Sequence, residues 1–122
     1  MTSFRALASD ADVDAVLAAS QIEPVIVFKH SRSCGVSLMV RDGLNEGALP
    51  GPVHEVVVQQ HRDVAQHIAT RFGVRHESPQ VFVVAHGVVM WHSSHNGVTP
   101  ARITAAWQTA AAAFTPTPVA SR

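Results

Sequence analysis

Three short β-branched runs, PVIVF at 24–28, VHEVVV at 53–58 and QVFVVA at 80–85, are set apart by stretches with helical spacing. This alternation constrains the fold more than any other feature of the chain, because strands separated by helices are joined by right-handed crossovers and become parallel neighbours. The exception lies near the end, where QVFVVA and VVMW are divided only by His86 and Gly87, a pair suited to a tight hairpin turn with positive φ. The helical stretches carry their own punctuation. Ser9 caps a first helix whose apolar stripe is Val13, Val16 and Leu17, ending near Ser20. A second runs from Cys34 to about Leu44, with Ser31 or Ser33 as its cap, before Gly43, Gly47, Pro50, Gly51 and Pro52 impose a loop. Val64, Ile68 and Phe72 recur every four residues and stop at Gly73. Thr99 and Pro100 start a last helix that reaches about Phe114.

The expected architecture is therefore α/β, a four-stranded mixed sheet covered by helices in the order α-β-α-β-α-β-β-α. The 122 residues suffice for one domain, read here as 1–114, with 115–122 as a frayed tail. This is the thioredoxin-like order. In such a sheet the turn after the first long strand lies at the carboxyl end, where open α/β folds place their sites. That turn holds the only cysteine, Cys34, within HSRSCGVS at 30–37.

Charge and composition exclude several classes. Lysine plus arginine equals aspartate plus glutamate at nine each, so no broad attraction to nucleic acid or membrane is implied. No stretch approaches the roughly 18 apolar residues of a membrane span, and Asp10, Asp12 and Asp14 interrupt the N-terminal segment where a signal peptide would be apolar. A lone cysteine cannot close an internal disulfide, which points to a free thiol and a cytoplasmic location.

The thiolate is the nucleophilic form of cysteine, and the first turn of a helix favours it through unpaired N–H groups and the positive end of the helix dipole. Arg32 adds positive charge nearby. Strand alternation puts Lys29 and His30 on opposite faces, so only one can reach the sulfur, and His30 is the expected one. Ser37, three residues after Cys34, can donate a hydrogen bond to the thiolate but cannot resolve a mixed disulfide. HESPQ at 76–80 enters a strand through a proline. In thioredoxin-like folds a proline at this place is cis, lies against the reactive cysteine and presents the preceding backbone to a thiol ligand, which here would be Ser78-Pro79. The spacing His92-Ser-Ser-His95 could bracket an ion, but the convergent ligands of a zinc site are missing and no metal is expected. His92 and His95 are instead expected to line a polar pocket beside Pro79.

FKHSRSC with Ser37, then HESPQ, then WHSSH at 91–95 resembles, in order and spacing, the YtxJ-like monothiol bacilliredoxins, the BrxC type of the thioredoxin superfamily. The resemblance covers roughly Pro24 to Trp107. It implies a bacterial cytoplasmic thiol-disulfide oxidoreductase that removes bacillithiol, a cysteine-glucosamine-malate thiol, from S-bacillithiolated proteins. Cys34 and Ser37 match the family's reactive motif and Pro79 its cis-proline, whereas Gly35 stands where proline is more usual and Val36 where isoleucine is common.

By thiol-exchange chemistry Cys34 would carry bacillithiol as a mixed disulfide, and a second bacillithiol would resolve it. The malate carboxylates would suit the helix N-terminus, Arg32 and neighbouring imidazoles. The site expected is thus catalytic Cys34 and Ser37, with His30, Arg32, Ser78, Pro79 and His95 binding substrate. Bacillithiol is the co-substrate, S-bacillithiolated proteins are the partners, and the protein is expected to be a monomer. The competing readings are a glutathione-dependent glutaredoxin-like enzyme and a non-catalytic redox sensor or binding module.

Overall fold

The computed structural model describes residues 1–114. In chain order it comprises β1 (Phe4–Ala6), α1 (Asp10–Ala19), β2 (Val25–His30), α2 (Gly35–Glu46), β3 (Val53–Val57), α3 (Arg62–Phe72), β4 (Gln80–Ala85), β5 (Val88–Ser94) and α4 (Pro100–Ala111). Short 3-10 turns, His95–Gly97 and Ala112–Phe114, flank α4. The expected tail, 115–122, lies outside the described residues. Among those described, no helix is long and apolar enough to cross a membrane.

The sheet order is β1-β3-β2-β4-β5. Strands β1, β3 and β2 are parallel, and β4 joins β2 antiparallel with β5 beyond it. This is the thioredoxin-like arrangement, with five strands where four were expected. The additional strand is β1. Its sequence, FRA, has neither a β-branched run nor alternation, and only Phe4 is half-buried. Pairing comes from outside: β3 supplies a free edge, Val53 N–H donates to Ser3 O at 2.8 Å, and Leu7 N–H donates to Glu55 O at 2.8 Å. Arg41 completes the join by lying 4.0 Å over the Phe4 ring and forking onto the Glu55 carboxylate at 2.6 and 3.1 Å.

Period-2 alternation in the strands divides the core in two. Val25, Val27, Val56, Phe82 and Val84 pack against α1 and α3 through Val13, Leu17, Val64 and Ile68. Ile26, Phe28, Val53, Val81 and Val83 pack against α2 and α4 through Leu44, Ile103 and Ala110. The central strand β2 is buried at all six positions.

Local signals set the boundaries. Ser9 accepts from Asp12 N–H to cap α1, and Thr99 accepts from Arg102 N–H to cap α4 ahead of Pro100. His86 and Gly87 both have positive φ, 53° and 74°, as a two-residue hairpin turn requires. Gly73 ends α3 in the left-handed region at φ 66°.

Two glycine substitutions should therefore have opposite signs. A Cβ added at Gly73 or Gly43 meets nothing within 4 Å, so backbone conformation alone decides the outcome. Gly73→Ala should cost about 1 kcal/mol because alanine disfavours the left-handed region, while Gly43→Ala, inside α2, should stabilise by about 0.5–1 kcal/mol. Urea unfolding of the two variants beside the parent protein checks both signs.

Candidate functional site

Cys34 stands where β2 hands over to α2. It is the N-cap residue of α2 in extended conformation, φ −105° and ψ 118°, and its carbonyl accepts from Leu38 N–H at 3.0 Å to start the helix. No side chain caps this end, so the first N–H groups of α2 remain directed past the thiol. The thiol itself is free and half-buried.

The turn is fixed from below. Ser37 is fully buried, and its Oγ accepts from Ser31 N–H at 2.9 Å while pairing with His30 Nδ1 at 2.8 Å. Burial chiefly holds the His30 imidazole below its ordinary pKa, with Glu55 working against this and Arg41 and Arg32 adding to it. The two tautomers of a neutral His30 divide donor and acceptor differently, yet in neither does Ser37 reach the sulfur. The sequence gives the Cys34 thiolate as a hydrogen-bond acceptor for Ser37 and as a neighbour for His30; in the structure the hydrogen-bond partners of Ser37 are His30 and Ser31 N–H. The reason is geometric: His30 faces the α2 side of the sheet, and the position three residues after Cys34 points inward, down onto that strand end.

A second clamp acts from the loop after β3. Gln59 Nε2 donates to Ser31 Oγ at 2.8 Å and Ser33 Oγ at 2.9 Å, and its side-chain Oε1 accepts from Arg32 N–H at 3.0 Å. The exposed Arg32 guanidinium has the Gln60 amide oxygen, turned toward it, at 2.9 and 3.0 Å. Arg32 is thus near the thiol in sequence, but its side chain leans toward β3.

On the opposite face of β2, Lys29 is fully buried. It is the only lysine in the sequence. Its Nζ lies 3.1 Å from His76 Nδ1 and 5.6 Å over the Phe82 ring. Burial lowers its pKa from 10.5 to about 8, and His76 is held below its ordinary value first by burial and then by Lys29. Two residues after His76, the Ser78-Pro79 bond is cis, as the sequence reading required. His95 also lies here: its backbone N–H donates to Pro79 O at 3.0 Å. The His95 main chain adjoins the proline, while its exposed imidazole is not bonded there among the described residues. His92, expected in the same polar pocket, tilts over Phe82 with ring centroids 6.2 Å apart.

Two cavities flank the turn. One, of about 390 Å3, lies on the α3 side and is lined by Ser31, Ser33, Arg62, His76 and Ser78 among others. The other, of about 530 Å3, lies on the α2 side and is lined by His30, Arg32, Arg41, Asp42 and Glu55 among others. The structure brings Cys34, Ser78 and Pro79 to one end of the sheet with Arg32 and His95 at the margin. Sequence reading missed Gln59, Arg62 and the Lys29–His76 pair. A lysine inside the run VIVFKH was the available sign, because a buried lysine needs a partner.

A family model described as monothiol bacilliredoxin BrxC matches residues 5–103. A solved structure with a thioredoxin fold, described as a candidate oxidoreductase, superposes with TM-score 0.76 at 28% identity, covering 84% of this chain and 92% of the other. Thioredoxin of Fasciola hepatica gives TM-score 0.67 at 16% identity over 87% of this chain and 98% of its own. That of Malassezia sympodialis gives 0.66 at 16% over 91% and 93%. At such identity the two thioredoxins bear on the fold alone.

Two stability measurements follow. Ser37→Ala would leave Ser31 N–H and His30 Nδ1 buried without their partner, a loss of about 1–3 kcal/mol in urea unfolding, without abolishing alkylation of Cys34. For Lys29, the unfolded chain keeps its proton up to about pH 10.5 while the folded chain releases it at about 8. Between these values the unfolded state binds more protons, so unfolding free energy should rise with pH, by roughly 3 kcal/mol across the window. Unfolding midpoints measured from pH 7 to 10.5 should show the rise in the parent protein. Lys29→Met should lack it and be the more stable of the two at pH 7.

Proposed function

The chain belongs to the BrxC family of monothiol bacilliredoxins, thioredoxin-fold oxidoreductases, and has a single cysteine; from that premise we propose that it removes bacillithiol from S-bacillithiolated proteins through a mixed disulfide on Cys34. One observation carries the reading: the only thiol stands half-exposed at the uncapped start of α2, and the residue three positions on, where a resolving thiol would sit, is a buried hydroxyl already bonded to Ser31 and His30.

The Cys34 thiolate attacks the bacillithiol sulfur of the target's mixed disulfide. A bond forms between Cys34 Sγ and bacillithiol as the bond to the target breaks, and the target cysteine leaves as thiolate and takes a proton from solvent. A second bacillithiol thiolate then attacks the bacillithiol sulfur held on Cys34, giving bacillithiol disulfide and restoring the Cys34 thiolate. The net exchange consumes one bacillithiol per target thiol released. The first N–H groups of α2, without a side-chain cap, stand where the exchange takes place. Ser37 and His30 act as positioning residues, holding the turn that carries the nucleophile. Ser78 offers an extended ligand its backbone N–H and carbonyl, neither of which is hydrogen-bonded among the described residues. Arg32 and His95 stand at the rim and contribute to docking. This chemistry suits a reducing, cytoplasmic setting.

Reduced protein mixed with an S-bacillithiolated target should release the target thiol and gain the mass of one bacillithiol on Cys34, while Cys34→Ala does neither. Repeated turnover should require free bacillithiol. Equal or faster exchange with a glutathionylated target would overturn the co-substrate preference and leave the nucleophile in place. No exchange with either target would overturn the enzymatic reading.

A further inference from the structure

The two cavities beside the turn differ in charge. On the α2 side, Arg32 and Arg41 share the walls with Asp42 and Glu55, and Arg41 is forked onto Glu55, so the walls carry no net positive charge. On the α3 side no carboxylate lines the walls; Arg62 and His76 do, with the hydroxyls of Ser31, Ser33 and Ser78 between them. Among the described residues the Arg62 side chain has no hydrogen bond or ion pair. Behind His76 sits Lys29, fully buried and 3.1 Å from its Nδ1, with no carboxylate partner among the described residues. Glu77, next in sequence to His76, is exposed and does not line the cavity.

An arginine without a partner and an imidazole backed by a buried lysine, on the walls of a cavity that no carboxylate lines, suit an anion. Its position is as telling as its charge. Ser33 precedes Cys34 directly and Ser78 precedes the cis-proline, so a small thiol joined to Cys34 and lying along Ser78 has this cavity before it. At about 390 Å3 it falls within the range of small-molecule sites.

Resting on the co-substrate reading above, we propose that this α3-side cleft is the specificity pocket for the dicarboxylate end of the thiol, with Arg62 and His76 as its recognition pair and Lys29 holding His76 from behind. The malate carboxylates thus face α3, and Arg32, at the opposite cavity, is left to the protein target. A thiol of the same length without the paired carboxylates would reach Cys34 but lose its anchor.

The test uses S-methyl bacillithiol, which cannot exchange, and its malyl dimethyl ester, which lacks the two charges, each titrated into the intact protein by calorimetry. Arg62→Gln, an exposed substitution, should weaken binding of the diacid about tenfold. Esterification should weaken binding to the parent protein by a similar factor, and the ester should bind parent and variant alike. In nuclear magnetic resonance titrations the His76 ring should shift with the diacid and not with the ester. The proposal is overturned if Arg62→Gln binds the diacid as tightly as the parent, if diacid and ester bind the parent equally, or if the diacid shifts His30 in place of His76. Arg62-dependent binding of the diacid without turnover on a bacillithiolated target would sustain the pocket and overturn the enzymatic reading. Turnover with Arg62-independent binding would do the reverse.

Discussion

Strand β2 is buried from end to end, and its last two residues, Lys29 and His30, are polar side chains that must be satisfied away from water. An unpaired polar group in that position would cost several kcal/mol, so each requires a partner within the protein. Alternation sends them to opposite layers. His30 turns toward α2 and finds Ser37; Lys29 turns toward α1 and α3 and finds His76. The turn that carries Cys34 and the segment that leads into the cis-proline are each tied to the sheet through one of these pairs.

This division separates functions that a dithiol redox site combines. The sequence has no second cysteine to act as a resolving thiol, and the position three residues after Cys34 holds a buried hydroxyl. The cavities on either side of the turn then differ in character. The one backed by Lys29 is lined by Arg62, His76 and hydroxyls with no carboxylate, whereas in the one backed by Arg41 and Glu55 arginines and carboxylates balance. The turn thus has two chemically different sides.

Local chemistry made much of this legible in the sequence. The glycine stop of α3, the Thr99-Pro100 start of α4 and the His86-Gly87 hairpin each depend on residues within one turn of one another, and all stand where they were read. Cys34 at the start of α2 and the cis bond at Pro79 were likewise placed by element order and the family's motif. The features that escaped depend on distant partners. β1 owes its existence to the edge of β3 some fifty residues on; FRA alone has no strand character. The partner of Ser37 could not be read because a hydroxyl one turn into the helix can face either the thiol or the strand beneath, and only its burial decides. Lys29 and His76 are 47 residues apart and meet only once β2 and β4 are paired.

The burial of Lys29 has a practical corollary. As the sequence has no other lysine, the folded domain offers amine-reactive chemistry no side-chain target. Acylating reagents, aldehyde cross-linkers and acetyl donors, which modify most proteins wherever lysines meet solvent, can reach this one only when β2 comes away from the core. Acylation of Lys29 therefore reports opening of the sheet, and surface immobilisation through side-chain amines would select for molecules that have lost their fold.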